Sequence, residues 1–341
     1  MTQNDLQELR DIWNGWNNEV KQLFYCNYGD LPYLLDVKVD KYLFQALTQF
    51  WNPAYSCFTF GGVDLVPTVE EYIALLNCPK IQADRAYSRP VNVSTFLKKL
   101  MKTTGMSEQW VATRIKQKGD SKSLGHVEEA VSDLFNRIDK GTMPIPVILA
   151  ETFRSLNACR RTSEGRFISC AQLLLAWFHS HFWKVEKVSY RVFSKDYSPL
   201  RELVATLRRD DISEEKWITI LQNLRVEDIE WRAPWLILDE ILYQCGDFDW
   251  VPLAGIWEAI GYAPLLVLRQ YQSRQFIPAT QGLAQCEFSY KDNKYKKKVR
   301  EISDAWNQTR RMKGFTTGPM STPEYDWWWG RRVNDNIPMP N

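Results

Sequence analysis

Residues Leu47–Pro79 read LTQFWNPAYSCFTFGGVDLVPTVEEYIALLNCP, and three backbone signals follow one another within them. Val39, Leu43, Leu47 and Phe50 fall on one side of a helix over Asp36–Trp51. Asn52-Pro53 ends that helix, because the residue before a proline is driven out of the helical region. Cys57–Phe60 and Val63–Val66 then flank Gly61-Gly62, a two-residue link whose glycines supply the positive φ that a tight hairpin turn demands. Thr68 and Glu71 follow as a capping box: the hydroxyl can accept the Glu71 N–H while the carboxylate reaches back to Thr68. The helix so opened runs through Tyr72, Leu75 and Leu76 and stops before Pro79. The expectation is a helix–hairpin–helix unit.

Toward the N-terminus, Leu6, Leu9, Trp13, Trp16, Val20 and Leu23 keep a 3,4,3,4,3 spacing, one apolar helical stripe interrupted by Gly15. Toward the C-terminus, Thr95–Lys122 holds seven Lys or Arg against two acids, and helices are expected over His126–Ile138, Pro146–Ala158, Ser169–Val185, Pro199–Arg208 and Ser213–Leu224. Asp210–Trp250 reverses sign, with 11 acids against three bases. Lys291–Gly314 is basic again, nine Lys or Arg against three acids, and Tyr295, Val299, Ile302 and Trp306 give it helical spacing. The last 25 residues, rich in Pro, are expected to run extended over the surface. The fold class expected is mainly α: a single large helical domain with a small β-hairpin element, open to division into two lobes. Its parts are a helical segment over 1–42, the domain over 43–332 and an extended tail over 333–341.

The chain has 341 residues, 45% apolar and 25% charged, which describes a folded protein able to bury a large core. Forty-three Lys and Arg against 41 Asp and Glu leave a net charge of +2, which excludes a polyanion-coating protein at the level of the whole chain. Seven cysteines without a C-x-x-C pair argue against a zinc ribbon or a thioredoxin motif, and suit buried thiols in a reducing compartment. Met1–Arg10 lacks the apolar run of a secretory signal, and the longest uncharged run, Phe167–Trp183, is short of the ~20 apolar residues of a membrane span. An intracellular, soluble protein is expected.

Chemistry is sparse. No phosphate-binding glycine loop, dinucleotide fingerprint or nucleophile elbow occurs. His179 and His181, two apart on a helix, point to different faces and read as ring packing rather than metal ligands. Asp239, Glu240, Asp247 and Asp249 have the chemistry of a hard-metal site for phosphoryl transfer, but a solvated acidic face explains them more simply. Lys296-Lys297-Lys298 with Arg310-Arg311 downstream resembles a nuclear import signal, or a stripe for nucleic-acid phosphates beside stacking Tyr295 or Trp306. The pairs Trp231/Trp235 and Trp250/Trp257 read mostly as core, whereas Trp327-Trp328-Trp329 cannot turn all three rings inward on any regular element. No catalytic residue, metal ligand or cofactor is expected.

Three stretches resemble the plant mobile domain family, a transposon-associated family also labelled "aminotransferase-like". They are the Leu47–Pro79 stretch, Ile229-Glu-Trp231-Arg-Ala-Pro234-Trp235, and Leu268-Arg269-Gln270-Tyr271-Gln272-Ser273-Arg274-Gln275-Phe276-Ile277-Pro278. The last matches the family's Leu-Arg-Gln-Phe-Gly…Gln-x-Ile-Pro signature in spacing and order, with Gln272 in place of the Gly. The resemblance implies a nuclear protein of transposable-element origin, linked to silencing and genome maintenance, with a phosphatase-like or silencing factor as partner. It implies no aminotransferase, since the Schiff-base lysine and phosphate cup that such an enzyme needs are not recognisable. Arg269, Gln270 and Gln275 offer many hydrogen bonds and no group that titrates near neutrality, which suits bracing or peptide docking better than acid–base work. The leading expectation is therefore a non-catalytic nuclear interaction module, with no membrane contact and no small-molecule substrate. Its alternatives are nucleic-acid binding through the basic segments, a carboxylate–metal nuclease or transposase remnant, and a cytoplasmic location.

Overall fold

Asn17 breaks the N-terminal stripe into two helices, α1 (Gln7–Gly15) and α2 (Asn18–Tyr28), by accepting the Val20 N–H at 2.9 Å as the cap of α2. Trp13 packs against Trp16, Phe24 and Tyr25, whereas Leu9, Val20 and Leu23 of the same stripe are exposed. The computed structural model describes residues 7–78, 145–161, 167, 169–182, 197–205, 212–231, 240–246, 250–255, 258–271, 273–277, 288–289, 297, 301, 304–313 and 319–332. Helices predominate, accompanied by small antiparallel sheets.

A 3-10 turn over Leu31–Leu35 leads into α3 (Lys41–Gln49). The helix expected from Asp36 starts five residues later because the Asp40 carboxylate accepts the Tyr42 and Leu43 N–H groups, at 2.9 and 3.0 Å, and so fixes the N-terminus there. The expected hairpin forms and gains a strand: β1 (Trp51–Asn52), β2 (Cys57–Phe60) and β3 (Val63–Leu65) make an antiparallel sheet with Trp51 opposite Phe58 and Phe58 opposite Leu65. All nine strand residues are buried, so both faces of this sheet are covered.

Of the two turn glycines only Gly61 has a positive φ, +46°. A Cβ there would sit 2.7 Å from the Gln222 carbonyl oxygen and 2.8 Å from that of Leu224, while one on Gly62 would meet nothing. Gly61→Ala is therefore expected to cost at least ~1–2 kcal/mol from the left-handed backbone alone, plus the displacement of two carbonyls. Gly62→Ala is expected to cost much less. Chemical denaturation of the two variants checks the difference.

The capping box opens α4 (Val69–Leu75): Glu71 N–H donates to Thr68 Oγ1 and Thr68 N–H to Glu71 Oε2, both at 3.1 Å. The expected helices further on appear as α5 (Ile145–Arg161), α6 (Ala171–Phe182), α7 (Pro199–Ala205) and α8 (Glu214–Gln222). The helix expected over 126–138 and the basic segment 95–122 lie outside the described residues.

The C-terminal third corrects the sequence reading. β4 (Glu240–Cys245) pairs with β8 (Thr309–Lys313), and β5 (Val251–Ala254), β6 (Glu258–Tyr262) and β7 (Phe288–Ser289) form a second three-stranded sheet. Arg310 and Arg311, expected on a helix, are strand residues. The helical run stops at Asn307; the Trp306 indole N–H is held by the Pro252 carbonyl at 2.7 Å, and Thr309–Lys313 are taken up by the β4 ladder. A further correction concerns the tail: the last 25 residues are not extended throughout, because Pro323–Arg331 form α9, capped by Thr322, which accepts the Tyr325 N–H at 3.2 Å. Buried apolar residues from Leu34 to Trp306 join in one cluster, so both ends of the chain contribute to a common core.

Candidate functional site

The signature segment lies in a 3-10 stretch, Pro264–Tyr271, and the extended residues after it. Gln270 is 1% exposed. Its Oε1 accepts the Val66 N–H and its Nε2 donates to the Val66 carbonyl, both at 2.9 Å, so the side-chain amide pairs with the backbone just beyond β3. The same Nε2 also donates to Glu71 Oε1 at 3.0 Å.

Glu71 is the hub of this region and is fully buried. Besides Gln270, its carboxylate accepts the Trp177 indole N–H at 2.8 Å and the Thr68 N–H at 3.1 Å. His181 Nε2 stands 3.1 Å from Oε1, close enough for strong attraction though off the hydrogen-bond line. The other ring nitrogen, Nδ1, is 2.9 Å from the Glu230 carbonyl, which can only accept, so Nδ1 carries a hydrogen.

Glu70, the next residue, is 2% exposed. Leu242 N–H of β4 donates to its Oε1 at 2.8 Å and the Tyr271 hydroxyl lies 3.3 Å from its Oε2. Burial pushes the Glu70 carboxyl above its ordinary range. Burial first, then the two carboxylates, push the phenols of Tyr271 and Tyr262 well up. Tyr271 also hydrogen-bonds Thr68 Oγ1. Thr68, Glu70, Glu71 and Tyr271 are buried and hydrogen-bonded to one another or to neighbouring backbone, whereas His181 Nε2 and the Tyr72 hydroxyl make no hydrogen bond among the described residues.

A second buried pair lies on the other side of the hairpin. Arg332 grips Asp64 with both ends of its guanidinium, at 2.7 and 2.8 Å, and both side chains are 2% exposed. Asp64 also accepts from Trp329 Nε1 at 3.0 Å and from the Thr59 hydroxyl at 2.8 Å. The guanidinium sits over the Tyr55, Trp328 and Trp329 rings at 4.8, 5.2 and 5.6 Å. Trp327, at 61% exposure, is the outward member of the Trp triplet and carries Arg331 over its ring.

The remaining sequence candidates scatter. Arg269 stacks on Trp231 at 4.1 Å, and burial lowers its guanidinium from the ordinary value. Gln275 bonds the Met320 carbonyl and the Thr322 N–H through its backbone, which ties the segment to the cap of α9. Leu268 is core; Phe276 and Ile277 are exposed, and Pro278 lies outside the described residues. Arg310 and Arg311 are exposed on β8, and Lys297 is exposed 3.6 Å from Glu301; Lys296 and Lys298 lie outside the described residues. Glu240 is exposed 3.8 Å from Lys313, and Asp239, Asp247 and Asp249 lie outside the described residues. Among the described residues no group of three His, Cys, Asp or Glu could hold a metal ion. Trp250 is buried, while Trp235 and Trp257 lie outside the described residues. His181, read as ring packing, packs edge-on against Trp177 and in addition meets Glu71. The sequence gives no warning that Glu70 and Glu71 are buried, because a capping-box acid is ordinarily solvated.

Thiol chemistry is suppressed by the same burial. Cys170 is pushed up to about 11, Cys78 and Cys245 to about 12, and Cys57 well up, all from an ordinary value of 9.0 and all chiefly by burial. A folded-state value raised above the unfolded one contributes stability that is intact below pH 9 and lost as pH rises toward 11–12. The melting temperature is therefore expected to fall steeply above pH 9. At pH 8 a thiol reagent is expected to reach the exposed Cys26 well before these four, which thiol counting with and without denaturant checks.

The sequence profile of a domain of unknown function, DUF7745, matches residues 9–143 and 126–334. The chain belongs to this family. No curated protein and no solved structure matches it. No described helix is long and apolar enough to cross a membrane.

Proposed function

We propose that the chain is a non-catalytic protein-interaction module in which the signature segment props up a docking surface. One contrast carries this reading. The groups with chemical potential, Glu70, Glu71, His181 and Tyr271, are sealed and paired with one another, whereas Phe276 and Ile277, immediately beyond the brace, stand 53% and 43% exposed. An acid or base out of hydrogen-bond reach of any substrate has nothing to act upon. Consecutive exposed apolar residues on a backbone pinned at Gln275 present a fixed surface to a protein partner that offers apolar side chains of its own. In this reading the chain is one large helical domain whose two lobes join across the buried centre.

The resemblance to the plant mobile domain family supplies the setting: a nuclear protein of transposable-element origin, working with a phosphatase-like or silencing factor. The test is to isolate tagged protein from plant nuclei, with and without nuclease, beside a Phe276→Asp/Ile277→Asp variant of unchanged melting temperature. A nuclease-resistant partner that the variant loses is the expected result. Partners retained equally by both proteins, or absence of the protein from nuclei, would overturn the proposal.

Nucleic-acid binding is the second reading, favoured by the exposed Arg310, Arg311 and Lys313 on the five-residue β8. Each phosphate neutralised gives a slope of about −0.9 in log affinity against log salt, so affinity for a duplex that is flat across a salt series would discard it.

A further inference from the structure

Glu70 and Glu71 place two carboxylates side by side in the core, and the imidazole of His181 is spent on Glu71. The groups facing Glu70 can be named from every described element around it. Leu242 N–H comes from β4, Tyr271 from the 3-10 stretch, Tyr262 from β6, and Arg311 acts from β8 through its charge; Glu71 is on Glu70's own helix, with His181 of α6 beyond it. Arg311 is exposed to solvent, so among the described residues no buried cation rests on Glu70. A carboxylate in that position is either protonated or a buried anion whose counter-charge among the described residues is the solvent-exposed Arg311.

We propose that Glu70 is a proton-operated switch in the seam between α4, β4 and the Pro264–Tyr271 stretch. The hydrogen bonds permit two states. With Glu70 ionised, the Thr68 hydroxyl donates to the Tyr271 oxygen and the phenol donates to Glu70. With a proton taken up from solvent onto Glu70, the carboxyl donates to the Tyr271 oxygen and the phenol donates to Thr68 Oγ1. Uptake of one proton reverses both bonds and removes the buried charge. The Leu242 N–H bond to Oε1 serves both states. The protonated state closes the seam more tightly because no ion is left in the core.

The direction of the pH dependence follows. Burial raises the folded-state value of Glu70 above the ordinary 4.5, so its contribution is fully present below that value and is lost as pH rises through the folded value. Glu70→Gln fixes the protonated pattern, since its amide still accepts from Leu242 N–H and donates to Tyr271. The melting temperature of Glu70→Gln minus that of the wild type is expected to grow as pH rises above the ordinary carboxyl value of 4.5, by roughly 2–4 °C for each unit that Glu70 is shifted. Infrared spectra taken through a pH titration are expected to show in the wild type a protonated-carboxyl band that persists above the ordinary carboxyl range and that Glu70→Gln lacks. Asp30 is the other described carboxyl raised by burial, so loss of the band in the Glu70 variant is what assigns it.

A pH-independent difference in melting temperature, or a wild-type spectrum without the band, would overturn the switch. Should Glu70→Gln fail to fold, Tyr271→Phe decides. It removes the hydroxyl that favours the ionised form, so the wild-type band is expected to persist to higher pH, and a titration left in place overturns the proposal.

Discussion

Glu71→Ala is expected to destabilise the fold by about 3–5 kcal/mol, the usual cost of removing one partner from a buried charged pair. Its carboxylate accepts from three donors, Thr68 N–H, the Trp177 indole and the Gln270 amide, and lies 3.1 Å from His181 Nε2. Truncation strands the three donors where water does not reach. Against a typical domain stability of 5–15 kcal/mol, the loss takes the protein to the edge of unfolding at ambient temperature. Glu71→Gln keeps one acceptor oxygen but turns an N–H₂ toward other donors, and is expected to recover less than half of the loss. Thermal melts of the two variants check the order. A near-native melting temperature for Glu71→Ala would show that the centre is not the structural hub its geometry describes.

Arg332→Ala carries the second large effect, again about 3–5 kcal/mol, since it leaves Asp64 as a buried carboxylate with only the Thr59 and Trp329 donors and weak thiol contact from Cys57. The consequence is local as well as global. Asp64 and Tyr55 are the seat on which α9 rests, through Trp329, Trp328 and the guanidinium between them. Loss of the pair is expected to free α9, red-shift the tryptophan emission and open the chain to proteolysis near Pro319–Arg332. Arg332→Lys keeps the charge but not the planar fork, and is expected to rescue only part of the loss. A double-mutant cycle with Asp64→Ala measures the coupling directly. Additive effects of the two substitutions would show that the pair is not coupled.

Local signals in the chain proved sufficient for local structure. Thr68 and Glu71 lie three residues apart and hold each other in the capping box, and Ser213 caps α8 by accepting the Lys216 N–H, although α3 stops at Gln49, short of Asn52-Pro53, because Trp51 and Asn52 join β1. Both caps depend on groups only a few residues apart, so spacing alone specifies them. The β4–β8 pairing was illegible for the opposite reason: β5, β6, the Pro264–Tyr271 stretch and β7 lie between the two strands in the chain, and nothing in either strand marks its partner. Helical spacing around Trp306 carried the helix reading on into Arg310, although the ladder offered by β4 outweighs that local preference.

Composition and motif alone established that no familiar catalytic constellation is written in the chain, and they singled out Gln270, Tyr271 and Gln275 as an unusual polar group. Only the tertiary structure decided what those residues do. It brought Gln270 to Val66 and Glu71, more than 190 residues away, and Arg332 to Asp64 across 268. It also converted two ordinary capping-box acids into buried carboxylates. Burial is a property of what packs around a residue, and the side chains that enclose Glu70 and Glu71 arrive from α6, β4 and the Pro264–Tyr271 stretch. A carboxylate's chemistry depends on whether water or protein surrounds it, and that environment is not encoded in the residues beside it in the chain.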